Sequence, residues 1–131
     1  MGRWYETAYN DIGQVGASCQ YADNAANAKG YEQNFRAIYS FVPYDEVDEY
    51  ENTTPAVKGM YVKHKKGLKV LLTIPMTVVD FGLGPDGYYD HLIEYACVTK
   101  VGVPVIELRF SSRSSNVTPE VIEVMKKTAA A

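Results

Sequence analysis

GRWYE, residues 2–6, places the only tryptophan of a 131-residue chain at position 4. A tryptophan so near a terminus frays into solvent unless something buries it. Here the stretch continues as RWYETAY over residues 3–9, a strand-like segment that sets Trp4, Glu6 and Ala8 on one face. Trp4 therefore reads as a buried anchor at the start of a strand.

The rest of the chain has the same texture of short β-type runs between turn residues. Residues 10–18 carry Asn, Asp and Gly and read as a loop. Residues 19–26 make a weak strand and 34–42 (NFRAIYSFV) a stronger one. Pro43 to Glu51 is acidic and turn-like. Strands follow over 56–64, 68–74 (ended by Pro75), 77–81, 89–99 and 103–112. The period then changes. Thr118-Pro119-Glu120 starts a helix, with Thr as N-cap, Pro at the first helical position and Glu at the positive end of the dipole. Val121, Ile122, Val124 and Met125 form its apolar stripe.

About eight strands in series with short connections imply an antiparallel meander. An open sheet of that length leaves two edges, and closure into a barrel removes both. An eight-stranded barrel is wide enough to hold side chains or one small ligand. A β-sandwich satisfies the same pattern.

Bulk composition narrows the function. The length fits a single domain over 1–131. Net charge is −3, which argues against a nucleic-acid partner. The one basic cluster, Lys63-His64-Lys65-Lys66, precedes Gly67 and reads as a solvated hairpin tip. No apolar run is long enough for a transmembrane helix. Only Met1 precedes Gly2, so a signal peptide is not part of the sequence. Asn52-Thr53-Thr54 and Asn116-Val117-Thr118 match the glycosylation acceptor pattern. Cys19, Cys97, His64 and His91 lack metal-ligand spacing, so no metal is expected.

Three stretches choose between barrel and sandwich. GRWYE resembles the opening Gly-x-Trp-Tyr-Glu motif of the lipocalin family, within the calycin superfamily. YYDHLIEYACV, residues 88–98, resembles the family's second motif, although Asp86-Gly87 stands for the usual Thr-Asp and His91 for an aromatic. ELRFSSRSSNVTPEVIE, residues 107–123, resembles the third, a strand ending in Ser-Arg before the helix. The resemblance implies an all-β fold: an eight-stranded antiparallel up-and-down β-barrel with one C-terminal α-helix packed outside. It also implies a secreted protein, with a cytoplasmic one as the alternative, and leaves a homodimer open.

In such a barrel the tryptophan sits at the closed base, with the arginine that ends the last strand across its ring. Carried over, Trp4 meets Arg113, and Gly2 lets the backbone turn beneath the barrel. The cation–π contact contributes roughly 0.5–2 kcal/mol. Cysteines placed like Cys19 and Cys97 have disulfide partners in the family that this chain lacks, so two unpaired thiols are expected. An isomerase with a pocket cysteine is a family variant, but Cys97 falls on the outward face with Tyr95. The expectation is a binding protein, not an enzyme, without a cofactor.

Alternation then assigns the interior. Glu6 and Ala8 follow Trp4 inward, and Ser111, Arg109 and Glu107 follow Arg113. Leu92 and Glu94 face in by alignment to the second motif. Ala37, Tyr39, Tyr61, Leu72, Val79 and Phe81 complete the expected wall. Ile106, Leu108 and Phe110 should lie outside, beneath the helix stripe. Three glutamates against one arginine is an unusual interior, because a buried carboxylate is costly unless paired. The expected ligand is a small hydrophobic or amphipathic molecule (lipid, pigment or amine) that the barrel transports. The rivals are a biogenic-amine scavenger using the glutamates, the pocket-cysteine isomerase, and a barrel filled by its own tyrosines.

Overall fold

The computed structural model describes residues 1–10, 14–69, 73–100 and 102–130. Eight strands close into an antiparallel barrel in simple sequence order: β1 (Gly2–Asn10), β2 (Ala17–Ala26), β3 (Gly30–Tyr39), β4 (Val42–Glu51), β5 (Met60–Lys65), β6 (Thr73–Leu83), β7 (Tyr89–Lys100) and β8 (Val103–Ser112). β1 pairs with both β2 and β8, which removes the sheet's edges. A helix, α1 (Pro119–Ala130), follows outside.

Two strand assignments differ from the expectation, and the errors offset in the count. The acidic segment read as a turn is β4, paired with β3 from Gly30 opposite Glu51 to Tyr39 opposite Val42. Thr73 and Ile74, from the strand read before Pro75, and the strand read after it belong to one strand, β6. Proline survives there because Pro75 faces Val62 of β5, while pairing to β7 begins only at Thr77. On its β7 side that stretch is locally an edge, where a missing N–H costs nothing. The basic cluster is also corrected. Lys63 and His64 belong to β5 and are sequestered, and only Lys65 and Lys66 are exposed.

Two bulges re-aim side chains. Between Glu6 and Ala8 the register of β1 against β8 shifts, so Ala8 lies opposite Phe110 and Tyr9 opposite Arg109. Ala8 therefore faces outward, not inward as alternation required. Thr7 at the bulge donates its hydroxyl to the Phe110 carbonyl at 3.0 Å. A second shift, between Val78 and Asp80 of β6, leaves Val79 out of the ladder.

Outside the barrel, Met125 of α1 is buried against Ile93 and Phe110, with Ala8 and Leu108 beside them. Val121 and Val124 are exposed, so the stripe is narrower than its spacing suggested. Ile106, expected beneath it, is exposed as well. Inside, Tyr31, Tyr50, Ile74, Met76 and Ala96 form one cluster, and Ala22, Phe35 and Ala37 a second. Gly30 permits the close β3–β4 approach, since a Cβ there would lie 2.1 Å from the Tyr50 carbonyl oxygen.

Candidate ligand-binding site

The base of the barrel is closed by Trp4. The Arg113 guanidinium lies 3.9 Å from the centre of the indole ring. Its Nη1 donates to the Arg3 carbonyl at 2.8 Å and its Nε to the Tyr89 carbonyl at 3.3 Å. Gly2 adopts φ +80°, the left-handed region that favours glycine, directly beside Arg113.

Above the indole, Arg109 sits at the centre of a buried polar network. It is only 5% exposed. Its Nη2 donates to Glu94 at 3.1 Å and to the Tyr50 hydroxyl at 2.8 Å, and its Nη1 donates to Gln33 at 3.3 Å. Tyr50 donates in turn to Gln33 at 3.1 Å, and Gln33 to Asn24 at 3.1 Å. Burial alone would lower the arginine's pKa, but Tyr50 and the surrounding carboxylates Glu94, Glu6 and Glu107 raise it well above its ordinary value. The guanidinium therefore stays charged.

Glu107 has its own cation. Lys63 donates to it at 2.7 Å, with both side chains largely buried. This is the second positive charge that the interior requires. Alternation along β5 carries the reason: Tyr61 and Lys63 share the inward face, opposite Met76 and Ile74.

Glu6 is treated differently. Its Oε2 accepts a hydrogen bond from the Gln14 amide at 3.1 Å, while its Oε1 is enclosed and has no partner. Burial pushes its pKa up to about 7, against the opposing pull of Arg109 and Gln14. Asp48, on the inner face of β4, is pushed up to about 6, again by burial, with Lys63 opposing. Two further buried acceptors have no partner, the Oε1 atoms of Gln14 and Gln20. The Nε of Arg109 is likewise unpartnered.

A closed cavity of about 20 Å³ lies beside Glu6 and Arg109, lined by Trp4, Glu6, Ala22, Gln33, Phe35, Leu92, Glu94, Arg109 and Ser111, among others. That is room for one or two waters. Ala17, Ala22 and Ala37 take little volume on the inner faces of β2 and β3, and Phe35 and Tyr39 stand among them. Across the barrel the space is filled by larger groups. Tyr31 stacks on Tyr50 at 4.4 Å and meets Tyr61 edge-on at 5.3 Å.

Of the residues expected at the site, Glu6, Leu92, Glu94 and Arg109 surround the closed cavity. Glu107 pairs with Lys63 beside it, and Ala37, Tyr39 and Tyr61 face inward on β3 and β5. Val79 does not line this cavity and is 49% exposed at the β6 bulge. Phe81 returns to the inward register opposite Leu92, but lies at the closed rim, half-exposed and edge-on to Tyr89 at 5.0 Å. Leu72 lies outside the described residues. Gln14, Gln20, Gln33, Asp48, Tyr50 and Lys63 were not anticipated. Alternation through residues 44–50 would have put Tyr44, Glu46, Asp48 and Tyr50 on one face, had that segment been read as a strand. Cys19 and Cys97 are both unpaired and exposed.

No family model matches the chain, and no curated protein matches it. Solved structures do. Lobster apocrustacyanin A1 aligns with a TM-score of 0.72 at 15% identity, over 97% of this chain and 67% of that one. Siderocalin Q83, described as having a dual ligand binding mode, aligns with a TM-score of 0.68 at 18% identity, over 98% and 79% of the two chains. Insecticyanin from the tobacco hornworm Manduca sexta aligns with a TM-score of 0.65 at 17% identity, over 98% and 69%. These likenesses establish the fold that the three sequence motifs implied, that of the lipocalins.

Proposed function

We propose that this lipocalin-fold barrel binds and carries a small hydrophobic or amphipathic molecule in its interior. The observation that carries the reading is the set of buried polar atoms left without partners inside the barrel: Glu6 Oε1, Gln14 Oε1, Gln20 Oε1 and Arg109 Nε. Folded proteins leave few such atoms, and each one calls for a water, an ion or a ligand. A barrel built only as a scaffold would gain stability by closing over apolar side chains there. The alanine-lined wall of β2 and β3 suits the apolar body of such a molecule, with Phe35 and Tyr39 supplying flat contact surface.

The polar interior disfavours an anionic head group. Arg109 is already engaged by Glu94, Tyr50 and Gln33. The pocket-cysteine reading has no support, because both thiols are exposed. Secretion, which the family resemblance implies, is part of this proposal.

Native mass spectrometry of protein recovered from its natural source tests the reading. The expected result is a mass above that of the polypeptide that is lost on denaturation. The companion measurement is titration with N-phenyl-1-naphthylamine, a neutral apolar fluorophore, which should brighten on binding. A bare polypeptide mass together with no fluorophore binding would overturn the proposal.

A further inference from the structure

We propose that Asn116, in the connection between β8 and α1, and not Asn52, is the attachment site of an N-linked oligosaccharide. The inference rests on secretion, which delivers a chain to the compartment where such sugars are added, and not on what the barrel holds. Asn52-Thr53-Thr54 and Asn116-Val117-Thr118 fit the acceptor pattern equally. Their surroundings separate them. Asn116 is exposed in an irregular segment, together with Ser114, Ser115 and Thr118. Its backbone is fixed without its side chain: the Ser114 hydroxyl accepts from the Asn116 N–H at 3.1 Å and donates to the Asn116 carbonyl at 3.4 Å. Among the described residues nothing bonds the Asn116 side-chain amide, so Nδ2 can take a substituent without giving up a contact.

Asn52 differs on each count. It is half-buried. Its N–H donates to the Lys29 carbonyl at 2.8 Å, and its Oδ1 accepts from the Thr54 N–H at 3.1 Å. It lines a recess with Lys29, Gly30, Glu51 and Pro55, where Lys29 and Lys69 both pair with Glu51. A branched sugar on Asn52 would have to share that recess. Pro55 also restricts Thr54, whose hydroxyl completes the acceptor, to extended backbone.

The donor is an oligosaccharide linked through pyrophosphate to a lipid. The Asn116 Nδ2 bonds to the anomeric carbon as that carbon's bond to the pyrophosphate oxygen breaks. The lipid pyrophosphate leaves, the amide gives up one proton, and nothing is oxidised or reduced. A sugar is bulky and hydrated, so the fold must close with it outside. The position allows this. β8 ends at Ser112, opposite Tyr5 and His91, and Arg113 covers Trp4 at the closed base. Asn116 follows three residues later. The sugar therefore stands at the closed end of the barrel and leaves the opposite end clear.

Expression of the full chain behind a secretion signal in cultured mammalian cells tests this, with intact mass read before and after peptide N-glycosidase F. The expected result is the loss of a sugar-sized mass, with Asn116 converted to aspartate. Asn116→Gln should abolish that loss, and Asn52→Gln should leave it unchanged. Cell lysate is analysed beside the medium, so a variant that fails to fold or to leave the cell is still read. A sugar-free wild-type chain, or any sugar that survives Asn116→Gln, overturns the assignment. N-phenyl-1-naphthylamine should brighten equally with the sugared and the stripped protein, and a difference would overturn its placement at the closed end. No brightening in either form sinks the ligand reading and leaves the sugar site standing. A bare chain from the natural source, where the secreted recombinant protein carries the sugar, sinks secretion alone.

Discussion

The two sides of the barrel interior treat their carboxylates differently. On the side built by β5, β7 and β8, Glu94 is held by Arg109 and Glu107 by Lys63, and these side chains are sequestered from solvent. On the side built by β1, β2 and the connection carrying Gln14, Glu6 meets one neutral amide donor and leaves an oxygen empty. Compensated charge is architecture: its members hold one another in place and have little left to offer. Uncompensated charge is stored cost, released only when something arrives to complete it. The contrast separates the residues that hold the barrel from those that would meet a guest.

Breaking the compensated side should have the largest effect. Arg109→Met leaves Glu94 buried without its cation and removes the donors to Tyr50 and Gln33. Urea denaturation at pH 7 should show a loss of about 3–5 kcal/mol, since an orphaned buried charge costs far more than the pair contributes. The double variant Arg109→Met with Glu94→Leu should recover much of that loss, because replacing both members by apolar groups can be nearly neutral. A mild single variant, or a double variant no better than the single, would mean that this side is not held by compensation.

Relieving the uncompensated side should stabilise the protein, and only above a certain pH. Glu6 has a folded pKa of about 7 against an ordinary value of 4.5. Between these values the unfolded chain has released its proton while the folded one retains it, so stability falls as pH rises through this window. Below it both states are neutral and no cost remains. Glu6→Gln should therefore raise unfolding stability by about 2–3 kcal/mol at pH 8 and change it little at pH 4. A stabilisation that did not vary with pH would point to packing rather than charge. No stabilisation at pH 8 would mean that Glu6 is compensated after all.

How much of this could be read in advance follows from the same contrast. The base was legible because its signals are local and rare: one tryptophan, a preceding glycine, and an arginine closing the last strand. The carboxylates of β7 and β8 were placed inward by alternation from that arginine. Their partner Lys63 was hidden in a basic run that resembles a surface turn, and only the pairing of β5 with β6 reveals its direction. β4 was lost because a strand is recognised by apolar alternation, whereas this one places Asp48 and Tyr50 inside and Glu49 and Glu51 outside. A polar interior erases the signal that marks a strand. The count of eight survived because Pro75 split one strand just as β4 went missing. Ala8 and Val79 went to the wrong face because each lies at or past a bulge. A bulge shifts alternation by one residue and leaves no mark in composition.

The smallest expected effect tests that last point. Val79, placed inside by strict alternation, is 49% exposed beside the shifted register of β6. If the bulge governs, Val79→Lys puts its ammonium in water and changes stability by no more than about 0.5 kcal/mol. It should also leave fluorophore binding untouched. If strict alternation governed, the same lysine would enter an interior where every cation already has an assigned partner, and desolvation would cost several kcal/mol. Val78 provides the matched control, since it lies opposite Glu94 and faces in. Val78→Lys would bring a cation beside the Arg109–Glu94 pair, and its denaturation midpoint should fall well below that of Val79→Lys. Adjacent lysines with opposite tolerances would locate the bulge without a diffraction experiment. Equal tolerance would return Val79 to the wall, and the line dividing compensated from uncompensated interior would have to be redrawn through β6.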